Sequence, residues 1–162
     1  MKELFGFEIE AIYTNKSRTL LAFINSWGKN YIYEAIGDCC SETWFESISD
    51  LNVLLDSEVI GLEKKFLPNV SSEKGSLIQA YGYTLKTEKG YCDIEYRNES
   101  NGYYGGDCRL VEEDGFLYFS KDKKIGDTAA IGLFSYLRAG NPIFYKSFDG
   151  IELNPWTNKD KK

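Results

Sequence analysis

The sequence predicts an α+β fold in which a mostly antiparallel β-sheet packs against two amphipathic helices. Aromatic residues make up 15% of the 162 residues, and tyrosine and phenylalanine favour strands. Several short segments alternate apolar and polar residues between turn residues, which is the period of half-buried strands. Two other segments repeat apolar residues at the spacing of a helix instead. The length suits one domain.

Three strands are predicted near the start of the chain. Apolar residues alternate over residues 5–13, and residues 15–18 are typical of a turn. Two further apolar segments, at residues 20–24 and 31–36, follow with short connections. We therefore expect an antiparallel meander.

Further strands are predicted later, at residues 59–66, 79–85, 92–96, 108–112, 116–120 and 143–148. Glu88, Lys89 and Gly90 would close a hairpin between the second and third of these strands. Residues 113–115 would close another hairpin, between the fourth and fifth.

A first amphipathic helix is predicted after Asp38. Its apolar residues fall at helical spacing and are Trp44, Phe45, Ile48, Leu51 and Leu55. Asp38 or Ser41 is available to cap the first amide groups.

A second helix has clear start and stop signals. Asp127 can cap its beginning, and Gly140 followed by Pro142 ends it. One face carries Ala130, Ile131, Phe134 and Leu137.

We expect a single domain over residues 1–154 and a frayed polar tail over residues 155–162. No apolar segment approaches the ~20 residues that a membrane-spanning helix needs, and the first residues lack the apolar region of a secretory signal. These observations predict a cytoplasmic protein with no membrane partner.

The chain contains no histidine. This absence excludes Ser-His-Asp and Cys-His nucleophile systems, paired-histidine zinc sites and any imidazole general base. We therefore expect a protein that is not an enzyme, with no catalytic residues and no cofactor.

The four cysteines are Cys39, Cys40, Cys92 and Cys108. Adjacent cysteines do not easily bridge each other without distorting the peptide, so we expect reduced thiols. Structural zinc usually takes its ligands from C-x-x-C pairs, and this spacing is absent. The sequence predicts no metal site.

The acidic residues are concentrated in one segment. Residues 31–63 hold eight acids and neither Lys nor Arg, so this segment carries a charge of −8. Because the net charge of the chain is −6, the other residues together carry +2. In the first predicted helix Glu42, Glu46 and Asp50 would share one face, with Asp38 just before it. This face is either merely solvated or a negative surface that binds a basic protein, such as a nucleic-acid-binding effector. No direct contact with nucleic acid is expected.

Residues 96–106 are rich in Gly, Asn and Tyr. A compact loop here could expose backbone amides beside aromatic rings and a guanidinium, and so hold a nucleotide or small ligand. Its contacts would be Arg97, Asn98, Asn101, Tyr103 and Tyr104. The other interpretation is a strand end and a bulged turn whose aromatic side chains return to the core.

Two motifs resemble the signatures of an uncharacterised domain family found mainly in bacteriophages and in bacteria that carry them. The first is G-D-C-C-S-E at residues 37–42, and the second is S-N-G-Y-Y at residues 100–104. The resemblance covers residues 20–111, so residues 113–154 would be an extension of a family-like core. It implies a phage or prophage origin and a small α+β fold, and it implies no activity.

Together with the acidic segment, the resemblance leads us to expect a small binding protein that inhibits a host defence system, in the manner of an anti-CRISPR protein. Its partner would be a host protein. The alternatives are a nucleotide-binding signal sponge that uses the loop of residues 97–104, and a phage structural or assembly accessory.

Overall fold

The computed structural model describes residues 1–14, 17–26, 29–111 and, for the backbone, 143–144. The strands are β1 (Glu8–Ile9), β2 (Ala11–Thr14), β3 (Leu20–Ile24), β4 (Asn30–Gly37), β5 (Glu42–Ile48), β6 (Ser57–Glu58), β7 (Gly61–Ser71), β8 (Leu77–Thr87), β9 (Gly90–Ser100), β10 (Gly106–Leu110) and β11 (Ile143–Phe144). A 3₁₀ turn spans Lys2–Leu4, and a helix of one turn, α1, spans Leu51–Leu54.

The strands form two antiparallel sheets that pack face to face. The first sheet has the order β10-β4-β3-β2-β11, the second has the order β5-β9-β8-β7, and β1 pairs with β6 separately. Fully buried side chains from both sheets meet between them, such as Phe23 and Tyr33 from the first and Phe45 and Ile94 from the second. The architecture is therefore a β-sandwich.

The predicted α+β class is wrong, because the structure is mostly antiparallel β-sheet and α1 is the one α-helix in the described residues. The first predicted helix is instead strand β5 followed by α1. A β-bulge between Phe45 and Ser47 explains the error. The extra residue in the bulge puts Phe45 and Ile48, three positions apart, into the same core. That separation imitates the spacing of a helix.

Several strand predictions are confirmed. The meander is β2-β3-β4, and β8 pairs with β9 through a hairpin in which Thr87 lies opposite Gly90. The backbone of β11 pairs with β2 inside the segment predicted as the last strand. The hairpin at residues 113–115, the second helix and the polar tail lie outside the described residues. Among the residues described, no helix is long and apolar enough to cross a membrane.

Two connections pass between the sheets at the same end of the sandwich. Residues 38–41 lead from β4 in the first sheet to β5 in the second, and residues 101–105 lead from β9 in the second sheet back to β10 in the first. Because β4 pairs with β10 and β5 pairs with β9, these connections lie next to each other. We call residues 38–42 and 101–105 together the crossover corner, which includes Glu42 at the start of β5.

Candidate functional site

Hydrogen bonds in the crossover corner join the first sequence signature to Gly105, the residue that directly follows the second signature. The Asp38 amide donates to the Gly105 carbonyl at 3.1 Å, and the Gly105 amide donates to Asp38 Oδ2 at 3.1 Å. Ser41 Oγ also lies 3.4 Å from the Gly105 carbonyl oxygen. Motifs more than sixty residues apart in the chain thus form one surface.

A buried asparagine supports the corner from below. Asn98 is fully buried, accepts a hydrogen bond from Thr43 Oγ1 at 2.8 Å and donates through Nδ2 to the Tyr104 carbonyl at 2.8 Å. Ser100 Oγ donates to the same carbonyl at 3.0 Å. The Asn98 amide group is therefore engaged inside the protein, away from any ligand at the surface.

Tyr103 projects from the corner into solvent. Its side chain is 87% exposed, and its ring packs edge to face on that of Tyr104 with the centroids 5.8 Å apart. The Tyr103 amide donates to Asn101 Oδ1, and the Gly102 amide donates to Ser100 Oγ, both at 3.0 Å. Side chains of the loop therefore hold the backbone that presents the ring.

Cys39 and Cys40 occupy the middle of a tight turn. The Ser41 amide closes the turn by donating to the Asp38 carbonyl at 3.1 Å. Both cysteines are exposed, and their Sγ atoms lie 3.8 Å apart.

A polar depression of about 500 Å³ lies beside the turn, lined by Cys40, Ser41, Glu42, Lys74 and Glu99. Glu42 lies directly opposite Glu99 in the β5–β9 register. Ser76 and Ser72 each donate a hydrogen bond to Glu99 Oε1, and these bonds, that of Ser76 first, lower the pKa of its carboxyl group. Neither Glu99 nor Lys74 was singled out from the sequence, because only strand register brings them to the turn.

The structure separates the four acids predicted to bind a partner. Asp38 and Glu42 are exposed at the crossover corner. Asp50 is exposed beyond the opposite end of β5, just before α1. Glu46 is buried. They therefore share no helical face, and only Asp38 and Glu42 lie together.

Glu46 belongs to a charge cluster on the outer face of the second sheet. Its Oε2 accepts a hydrogen bond from Trp44 Nε1 at 2.7 Å, and its Oε1 lies 3.4 Å from Arg97 Nη1. Arg97 Nε also donates to Glu95 Oε1 at 2.6 Å. The Arg97 guanidinium is thus shared by the carboxylates of Glu46 and Glu95.

The residues predicted to hold a nucleotide also separate. Arg97 and Asn98 are adjacent in β9 and face opposite sides of the sheet, since Arg97 contacts the outer cluster and Asn98 is fully buried. Three loop amides, those of Gly102, Tyr103 and Gly105, already donate within the corner. Of the predicted ligand contacts, Asn101, Tyr103 and Tyr104 remain together at the surface.

The four thiols should react at two different rates. Cys92 and Cys108 are buried, and burial raises the pKa of the Cys108 thiol to about 12 and that of the Cys92 thiol also above its ordinary value. We expect Cys39 and Cys40 to react rapidly with Ellman's reagent in the native protein, and Cys92 and Cys108 only after denaturation. Equal rates for all four thiols would contradict this structure.

Comparison with known proteins gives a family match and nothing more specific. The model of a family described as a domain of unknown function (DUF7448) matches residues 2–110. The matched range begins before β1 and ends with β10, so it contains the whole crossover corner. Neither a curated protein nor a solved structure matches the chain.

Proposed function

This chain belongs to the DUF7448 family of domains of unknown function, and from the geometry of its crossover corner we propose that it is a non-enzymatic binding protein. It docks the corner on a basic surface of a host protein. The observation that carries this proposal is Tyr103, which is 87% exposed on a loop that is held by its own hydrogen bonds and linked to the Asp38 carboxylate through the Gly105 amide.

An exposed tyrosine on a hydrogen-bonded loop suits protein recognition. Tyrosine is enriched among the residues that dominate binding energy at interfaces. Because Asn101 and Ser100 already hold the loop backbone, little further ordering is needed when a partner binds. Both features favour a protein partner for this surface.

The charge of the corner favours a basic partner. Glu42 at the corner belongs to the segment of residues 31–63, which has eight acids and no Lys or Arg. Of these acids Asp38 and Glu42 lie together at the corner, and both are exposed. An acidic surface attracts a basic one and excludes acidic competitors. A groove that normally holds nucleic acid has the required positive charge.

Our proposal of no enzymatic activity rests on residue chemistry. The chain has no histidine to act as a general base near neutral pH. Cys92 and Cys108 are buried thiols whose pKa values are raised, the opposite of what a nucleophile needs. We extend the proposal to a protein of phage or prophage origin that inhibits a defence system in the host cytoplasm, and this part rests on the resemblance of the two signatures.

Three variants test the docking surface. Glu42→Lys and Tyr103→Ala change the corner, and Glu88→Lys makes the same change of charge as Glu42→Lys at the opposite end of β9. In a host whose CRISPR system targets a phage, we expect expression of the wild-type protein or of Glu88→Lys to restore plaques. We expect both corner variants to fail, because loss of a central anchor weakens binding by roughly 30-fold or more. Capture of the effector by the purified protein should follow the same order.

Equal plaque counts for all variants would contradict docking through the corner, and no restoration by the wild-type protein would contradict the anti-defence role. As a control on folding, each variant should have the melting temperature of the wild-type protein, since all three positions are exposed. A rise in melting temperature with a nucleotide would instead favour the small-ligand alternative.

A further inference from the structure

The turn at residues 38–41 brings two adjacent thiols to the same side of the chain. Adjacent residues of an extended chain point in opposite directions. Cys40 instead has φ 72°, in the left-handed region, which is the conformation that a type II turn requires at its third residue and usually gives to glycine or asparagine. Its Sγ consequently lies 3.8 Å from that of Cys39.

The turn is held in this conformation from both ends. The Ser41 amide and Ser41 Oγ both donate to the Asp38 carbonyl, at 3.1 and 2.9 Å. Gly105 makes two hydrogen bonds with Asp38: its amide donates to the Asp38 carboxylate, and its carbonyl accepts from the Asp38 amide. The two exposed thiols are therefore positioned before any ligand arrives, which lowers the cost of binding one.

Two neighbouring sulfur donors limit the choice of ion. Within the described ranges no group of three or more His, Cys, Asp and Glu side chains is arranged to hold a metal ion. Structural zinc and iron–sulfur clusters usually take four protein ligands, whereas thiolates also select Cu(I). An ion that is satisfied by two soft ligands fits this donor set best.

We propose that Cys39 and Cys40 form a surface site for one Cu(I) ion. Each thiol loses its proton and forms one Cu–S bond, so two protons are released and copper stays in the Cu(I) state. The product is a bis-thiolate with one negative charge. Lys74 lines the depression beside Cys40 and can offset that charge, while Glu42 and Glu99 line the same depression and attract the incoming cation.

The site is tested with Cu(I) alone, added without oxygen to the fully reduced protein in competition with a chromogenic Cu(I) chelator. We expect the wild-type protein to remove one Cu(I) per chain from the chelator and to remove less as the pH falls, because protons compete for the thiolates. Cys92→Ala should behave like the wild-type protein, since Cys92 is buried far along β9 from the corner.

Three variants remove one sulfur each: Cys39→Ser, Cys40→Ser and Cys40→Gly. We expect all three to lose Cu(I) binding. Cys40→Gly keeps the test informative if the serine at this position disturbs the turn, because glycine adopts a positive φ without strain. The proposal is overturned if the wild-type protein leaves the chelator's absorbance unchanged, or if a folded single-sulfur variant binds Cu(I) as tightly as the wild-type protein.

Discussion

Glu46→Lys is expected to lower the free energy of unfolding by about 3–5 kcal/mol, as for other buried ion pairs that lose one partner. The Glu46 side chain is 8% exposed and lies beside Arg97, which is itself 21% exposed. A lysine here would place a second cation against Arg97 and remove the acceptor of the Trp44 indole. Neither charge could reach water easily.

Glu42→Lys is the matched control, four residues earlier in the same strand and exposed. Its effect on stability should stay within about 0.5 kcal/mol, as is usual for surface substitutions. Urea unfolding followed by tryptophan fluorescence measures both variants. Equal stabilities would show that Glu46 lies at the surface, as in the predicted acidic helix face.

Gly106→Ala is expected to cost about 1–3 kcal/mol, the range for extra volume in a packed interior. A Cβ at this position would lie 2.7 Å from both Asn98 Cβ and Thr43 Oγ1. These two side chains are buried, and Thr43 Oγ1 donates a hydrogen bond to Asn98 Oδ1 at 2.8 Å, so neither side chain can move freely. Because Asn98 also holds the Tyr104 carbonyl, the loop that presents Tyr103 should shift as well.

Gly105→Ala provides the control at the next residue. The nearest atom to a Cβ there is Asp38 Oδ2 at 3.9 Å, an ordinary contact distance. Thermal unfolding should therefore separate the two alanine variants, with Gly105→Ala close to the wild-type protein and Gly106→Ala several degrees lower. If both variants melt at the wild-type temperature, the close packing under the crossover corner is wrong.

Most strands could be predicted from local pattern. The meander and the β8–β9 hairpin were predictable because alternation and turn residues lie next to each other in the chain. The helix predicted around Trp44 failed because the β-bulge after Phe45 changes the period of the strand. A bulge of this kind has no local sequence signal as clear as a turn.

The candidate site was predictable only in parts. The sequence identified both signatures, and Asp38, Glu42, Asn101, Tyr103 and Tyr104 do lie at the corner. It grouped Arg97 with Asn98, although neighbours in a strand face opposite sides. It also placed Glu46 on a surface, although the Glu46 side chain is buried beside Arg97. Arg97 lies in a strand that is distant in the chain, so the sequence pattern around Glu46 does not show this contact.

The sequence alone determined the chemistry of this protein: one histidine-free chain with a concentrated acidic segment, two signatures and four cysteines. These properties depend on which residues are present, so no fold can alter them. Only the tertiary structure decided which acids face solvent, which thiols converge and which motifs touch. Each of those outcomes depends on strand register and on the two neighbouring connections between the sheets, because both bring together residues that are distant in the chain.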